Sequence, residues 1–391
     1  MGVVTPGTSM QADAEFNLKK QVSKLFVEAW EDNGVVSLLS KHNVINVEDK
    51  LSQETGGVTV NMYNLVRHDS KGTRGDGDAY GIAVRQQYGD RSLTIDRLMS
   101  TISFPRQGTL AQQIAAFNLG EGVSANLSNW NAALIRSSIL HHLAGCNANS
   151  ILVTDAAQTA FTGGELVNAT GFNTVTAPST IYKAYGSKAA LANDQAVTSS
   201  HPLTFGDLQQ AVLNIHDIKA GVPMFNPLKG YSYRYIALVS MTALMQLVQD
   251  ASTNNFNIRE LVYNTIAGGK AAPDLAYYQV PSLSMLLVGV PDHEMPRGVN
   301  SSTSAPQANT RRAIVVGQNA IDVAFGKGFK PNGGKVLKGF NLLFDDQHKK
   351  NNFETFVTSV ALWGCKKTQL LGQDGNRYDN AAYVITHYSA N

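Results

Sequence analysis

The chain has 391 residues, 43% of them hydrophobic and only 16% charged, with a formal net charge of +2. That length holds a sizeable core and about two or three domains, and the near-neutral balance excludes a strongly basic DNA-coating protein. The charged fraction lies well below the usual quarter, as in chains whose surface is largely covered by neighbours.

In chain order, "AEFNLKKQVSKLFVEAWED" places Phe16, Val22, Leu25, Phe26 and Trp30 on roughly one side of a helix. It stands apart from the main pattern and reads as an amphipathic arm in need of a partner surface. "GGVTVNMYNLV" alternates, with Val58, Val60 and Met62 on one face, and "SLTIDRLMSTISF" (Ser92 to Phe104) matches it. Between them Arg67 to Gln87 is polar and rich in glycine. Two strands with a long tip predict an extended hairpin, which does not hold itself up in water and must lie on something else. The tip, "SKGTRGDGDAYG", reads as a flexible, solvent-facing turn.

"TLAQQIAAFNLGEGVSANLSNWNAALIRSSILHHLAG" is the longest helical pattern. Leu110, Ile114 and Phe117 mark its stripe, and Leu127, Trp130 and Leu134 continue it as core. A break or bend is expected at Gly120 to Gly122, and a C-cap at Gly145. Residues 146–200 read as a loop-rich excursion with short strands. Pro202 and Thr204 precede a helix carrying Leu208, Val212 and Ile215. "YRYIALVSMTALMQLVQD" reads as a buried strand running into a helix, "FNIRELVYNTIAGG" as a helix, and "SLSMLLVGV" as a strand. "PRGVNSSTSAPQANT" is a low-complexity loop. "RRAIVVG", "NAIDVAFG" and "FETFVTSVALWG" complete the chain as strands, and no internal repeat is visible. The charge is uneven: residues 311–391 carry 11 Lys and Arg against 6 Asp and Glu, a balance of +5, while residues 1–310 balance at −3. A basic third facing polyanion and an ordinary solvated face are both open readings.

Patterns for catalysis or cofactor binding are missing. At the tip, Lys71 precedes the glycines, so the order a phosphate loop needs is reversed. Asp76 and Asp78 lack the closing Glu of a calcium loop. "GKGFKPNGGK" (Gly326 to Lys335) has its lysine misplaced and no Ser or Thr after it; it reads as a turn between strands. His141 and His142 are adjacent on a helix and cannot share a ligand. Cys146 and Cys365 make neither a disulfide framework nor a metal spacing. No catalytic, cofactor-binding or metal-binding residues are therefore assigned, and no cofactor. The N-terminus has no apolar signal core and no stretch suits a membrane span, so synthesis in the cytoplasm is expected. Arg74-Gly75-Asp76 spells an adhesion tripeptide, and a host-attachment protein using it is the rival reading from another class. A hydrolase with a site assembled from distant residues is a third.

The order of parts resembles the Johnson (Hong Kong 97-type) fold of tailed-bacteriophage major capsid proteins. "RRAIVVGQNAIDVAFGKG" with "LLFDDQHKKNNFETFVTSVALWGCKK" looks like that family's return strands, and "HPLTFGDLQQ" with "YRYIALVSMTALMQLVQD" like its axial helix and strand. The flavour is similar to capsid proteins of schitovirus-type podophages. The resemblance implies an α+β fold with an N-terminal arm (1–46), an extended loop (47–106), a peripheral domain with the spine helix (107–150), an axial domain (151–310) and return strands of both domains (311–391). It implies a non-enzymatic protein of the virion capsid. Such a protein self-assembles as hexamers and pentamers into an icosahedral shell around double-stranded DNA, which it touches weakly and without sequence preference. Portal, scaffold and decoration proteins are implied as partners, with no membrane. A phage-derived nanocompartment shell is the alternative within the class. Phe16, Phe26, Trp30, Lys71, Arg74, Asp76 and Asp78 become candidates for contacts between subunits. Some relatives join an extended-loop lysine to an asparagine of a neighbour. Lys71, with Asn351 and Asn352, has the residue types but no apolar surroundings to neutralise the lysine, so no cross-link is expected.

Overall fold

The computed structural model describes residues 34–48, 59–67, 85–105, 119–146, 173–217, 221–254, 259–260, 275–299, 307, 309–326, 340–345 and 354–389. The amphipathic arm, the hairpin tip, the stripe of Leu110, Ile114 and Phe117, and Asn351 and Asn352 lie outside these residues.

Helix α1 (Gly34–Lys41) buries Val35, Val36, Leu38 and Leu39. It closes through Asn43 at φ 55°, with the Val44 amide donating to the Leu39 carbonyl and the Asn43 amide to that of Ser40. Asparagine tolerates this left-handed closing position. Strand β1 (Ile45–Glu48) follows. β2 (Thr59–Leu65) and β3 (Tyr88–Thr94) pair antiparallel as the expected hairpin. The second predicted arm is not one strand, however. It changes partner at Ile95, and β4 (Asp96–Pro105) leaves the hairpin for another sheet. Alternation is continuous through that point, so it carries no sign of the switch.

Helix α2 (Leu119–Ala144) is the long spine. Gly120 and Gly122, where a break or bend is expected, fall in its first turn, and the residues before Leu119 that would test that expectation lie outside the described residues. The helix ends as expected at Gly145 (φ +65°). The Gly145 and Cys146 amides donate to the carbonyls of His142 and His141, and a Cβ on Gly145 would sit 2.6 Å from the Thr176 carbonyl oxygen. Leu127 and Leu134 are fully buried. Trp130 is only half-buried and packs on the rim of the core, which corrects its reading as interior.

Strand β5 (Lys183–Tyr185) lies among short 3-10 turns. Thr204 and Asp207 form a reciprocal capping box that starts α3 (Phe205–His216). β6 (Tyr235–Ser240) runs directly into α4 (Met241–Asn254). β7 (Arg259–Glu260) lies in the segment expected to be helical. It pairs with Tyr278 and Gln279 at the sheet edge, so backbone pairing overrides helix propensity there. β8 (Ala276–Val280), β9 (Met285–Val290), β10 (Thr310–Val316), β11 (Ile321–Phe325), β12 (Phe340–Asp345), β13 (Glu354–Lys367), β14 (Gln369–Leu371), β15 (Arg377–Asp379) and β16 (Ala382–Tyr388) complete the set.

Two sheets organise these elements. The first has order β1-β11-β13-β12, with β4 also paired to β13. β13 is its axis, bonded along one edge to β4 and along the other to β12 and then β11. Helix α2 packs on β13, where Asn131 donates to Ser359 Oγ at 2.7 Å. The second sheet has order β5-β16-β10-β6-β9-β8-β7. Its central strands β6, β9 and β10 are buried at every position, with α4 packed against β6 and β9. One apolar cluster runs through both sheets and α2, while Val60, Met62, Leu93, Ile95 and Ala324 form a small separate cluster at the hairpin.

Candidate assembly surface

Alternation gives the hairpin two different faces. On the inner face Val60, Met62 and Leu93 are buried against the chain's own body. On the outer face Tyr63 is 73% exposed, Leu65 67% and Tyr88 68%. Leu65 and Tyr88 are directly opposed across the ribbon, with Tyr63 two residues along the same face. These three form an apolar surface that the chain itself leaves uncovered. Covering them stabilises by about 1.5–3 kcal/mol for each large side chain.

The inner face is tied down by polar groups. Thr94 and Asn173 bond reciprocally, the Thr94 amide donating to Asn173 Oδ1 at 3.0 Å and Asn173 Nδ2 donating to the Thr94 carbonyl at 2.6 Å. Gly364 makes room for that backbone: a Cβ there would meet the Thr94 oxygen at 2.1 Å. Lys366 Nζ donates to the Ser92 carbonyl at 3.2 Å, and Arg377 donates to the Asp90 carbonyl at 2.7 Å. Arg91 reaches Asp322 with Nε 3.1 Å from Oδ2 and Nη2 3.2 Å from Oδ1. The expected support for a hairpin too long to stand alone thus comes, at its root, from the same chain.

A second polar assembly locks the spine helix to the larger sheet. Arg312 donates to the Ala144 carbonyl at 2.7 Å and to Asp194 at 2.5 Å. Asp194 also accepts the Val299 amide at 3.0 Å and pairs with Lys183 at 3.0 Å. Burial pushes the Asp194 carboxyl up, but Arg312, the Val299 amide and Lys183 outweigh it and hold the group at about 2. Nearby, Lys367 and Asp379 are both fully buried 2.9 Å apart. Burial lowers Lys367 while Asp379 opposes the shift. Arg136 pairs with Glu294, joining α2 to the turn before β10.

These pairs take three cations of the C-terminal third out of play, along with its buried Asp322 and Asp379. Arg311, Arg312 and Lys367, all counted in its basic excess, are 2% exposed and bound internally, so they present nothing to a polyanion. Both cysteines are buried thiols, Cys146 donating to the Arg297 carbonyl at 3.3 Å, and burial pushes the Cys365 thiol up. Among the described residues no three His, Cys, Asp or Glu side chains come together as metal ligands, and no helix is long and apolar enough to cross a membrane.

Of the residues proposed for contacts between subunits, Phe16, Phe26, Trp30, Lys71, Arg74, Asp76 and Asp78 lie outside the described residues. The outer-face residues Tyr63, Leu65 and Tyr88 were not singled out from the sequence. Their signal was present in "TVNMYNL", which is apolar on both faces toward its end.

No curated protein sequence matches the chain. Solved structures do. The capsid of Ralstonia phage GP4 superposes with a TM-score of 0.62 at 17% identity, covering 90% of this chain and 89% of that one. The cyanophage Pam1 capsid asymmetric unit gives 0.57 at 12%, covering 89% of each. The head of Helicobacter pylori bacteriophage KHP40 gives 0.54 at 11%, covering 90% and 88%. At these identities the likeness is one of fold, that of phage capsid structures, as the order of elements implied. The sequence itself matches the family described as phage capsid protein over residues 10–391. A match across almost the whole length places the chain in the family of phage capsid proteins.

Proposed function

We propose that this capsid protein assembles as hexamers and pentamers into an icosahedral shell around double-stranded DNA, with the extended hairpin of each subunit laid over a neighbour. The observation that carries this reading is the outer face of Tyr63, Leu65 and Tyr88, apolar and uncovered by its own chain. A second copy supplies the missing cover, and repetition of one such heterologous contact by rotation closes a ring. The sheet built on β13 with α2 serves as the peripheral domain, and the seven-stranded sheet as the axial domain whose loops meet at the ring centre. Synthesis is in the host cytoplasm, and portal, scaffold and decoration proteins complete the particle.

Electron microscopy of the overexpressed protein tests this. The wild type should give shells or rings. The double variant Tyr63→Ser, Tyr88→Ser should keep its circular dichroism and melting temperature but remain as small oligomers. Unchanged shells from that variant would remove the hairpin from the assembly contact. Nuclease-protected DNA in the native particle is expected, and its replacement by protein cargo would mark a nanocompartment instead.

A further inference from the structure

We propose that Asp322 is a shared anchor through which strand β1 and the extended hairpin fix each other's position. Asp322 is the second residue of β11, its side chain only 3% exposed. Asn46 on β1 donates to its Oδ1 at 2.8 Å. Arg91 on β3 donates to the same oxygen at 3.2 Å and sets Nε 3.1 Å from Oδ2. One buried carboxylate therefore holds two elements that are far apart in sequence and do not belong to one sheet.

The weight of this contact follows from what else holds the hairpin. Its apolar seat is the small cluster of Val60, Met62, Leu93 and Ile95, to which the body contributes Ala324 alone. Arg91 stands opposite Met62 on the same inner face. The other polar ties run to Asn173, Lys366 and Arg377, and none of these lies on β1. A buried carboxylate needs its partners, and removing one leaves a charge that is costly where it stands. Loss of the Asn46 donor leaves Oδ1 short of a bond and frees the carboxylate to turn, which weakens its hold on Arg91. Lys366 from β13 and Glu48 from β1 are the other charged groups that act on Asp322, and burial outweighs Arg91 in setting its titration, which lies above the usual carboxylate range. The contact thus links whatever positions β1 to the order of the hairpin, whether or not the hairpin meets a second subunit.

Hydrogen–deuterium exchange of the full-length protein, read by mass spectrometry, tests the coupling. Arg91→Met should raise exchange in the peptide spanning Gly89 to Thr94 by about ten-fold or more, as expected for loss of a charge-assisted hydrogen bond. Asn46→Ala, which alters β1 and not the hairpin, should raise exchange in that same hairpin peptide several-fold. Strands Tyr235–Ser240 and Met285–Val290 should stay within about two-fold of wild type. A hairpin unchanged in Asn46→Ala would overturn the coupling, as would a rise spread equally over the seven-stranded sheet. Asp322→Asn should loosen both elements together; if it fails to fold, the other two variants decide.

Discussion

At the scale of single residues, His142 sits at the buried end of the spine helix with no hydrogen-bond partner for either ring nitrogen. Burial is the main force on it, with His141, Lys367 and Lys366 adding repulsion, and together they pull its titration down to about 3. A histidine depressed in the folded state is stabilising only while it stays neutral. Its contribution is complete above the unfolded value of about 6.5 and is lost progressively as pH falls from there toward 3. His142→Phe should therefore flatten the fall of melting temperature between pH 6.5 and 4; an identical profile would place the acid limb on other groups. Asp194 acts in the same sense at lower pH, as a carboxylate held low chiefly by Arg312, whose contribution persists until pH drops below its ordinary value and is then lost toward about 2. Asp194→Ala strands a fully buried guanidinium and should cost about 3–5 kcal/mol by denaturant unfolding. Replacing the pair together, Asp194→Leu with Arg312→Met, should recover part of that loss, which a double-mutant cycle reads directly.

At the scale of elements, burial ranks the stripe of α2. Leu134→Ala should cost roughly 2–5 kcal/mol, and Trp130→Ala less than its size implies, because the indole is only partly buried on the rim of the core. Equal losses, or a larger one for Trp130, would show that the rim position is covered. Much of this level was legible in the sequence. The capping box at Thr204, the Gly145 closure, the β6-to-α4 run and strands β9, β10, β11 and β13 all follow from periodicity and local chemistry, which act within a few residues. The switch at Ile95 was not legible, because one alternating run serves two partners and the partner is chosen by residues some 260 positions away. β7 was missed for a similar reason: two residues take the conformation of the edge they join. The assembly surface was half legible. The hairpin and its need for support were plain, while the residues that remain uncovered depend on which face the body takes, and that is the face carrying Val60, Met62, Leu93 and Arg91.

At the scale of the whole molecule, charge counted along the chain and charge shown to solvent are different quantities. Arg311, Arg312 and Lys367 are buried, but so are Asp322 and Asp379 of the same segment, so the C-terminal third keeps most of its basic excess, carried by other side chains. With a net charge of only +2 over the whole chain, binding of unassembled subunits to duplex DNA should be weak and only shallowly dependent on salt, with few counterions released. A steep slope of log affinity against log salt, measured by fluorescence anisotropy, would reveal a basic surface outside the described residues.

The pairing of β4 with β13 has a mechanical consequence. The hairpin continues through Ile95 into β4, whose ten residues run antiparallel to β13 from Asp96 opposite Trp363 to Pro105 opposite Glu354. A pull on the hairpin is thus delivered along the axis of β4. The rungs of that ladder take such tension in shear and must yield together, whereas a load across the strand would open them one after another. If the hairpin is laid over a neighbour as proposed, tension between subunits is taken up lengthwise by the ten rungs that β4 shares with β13.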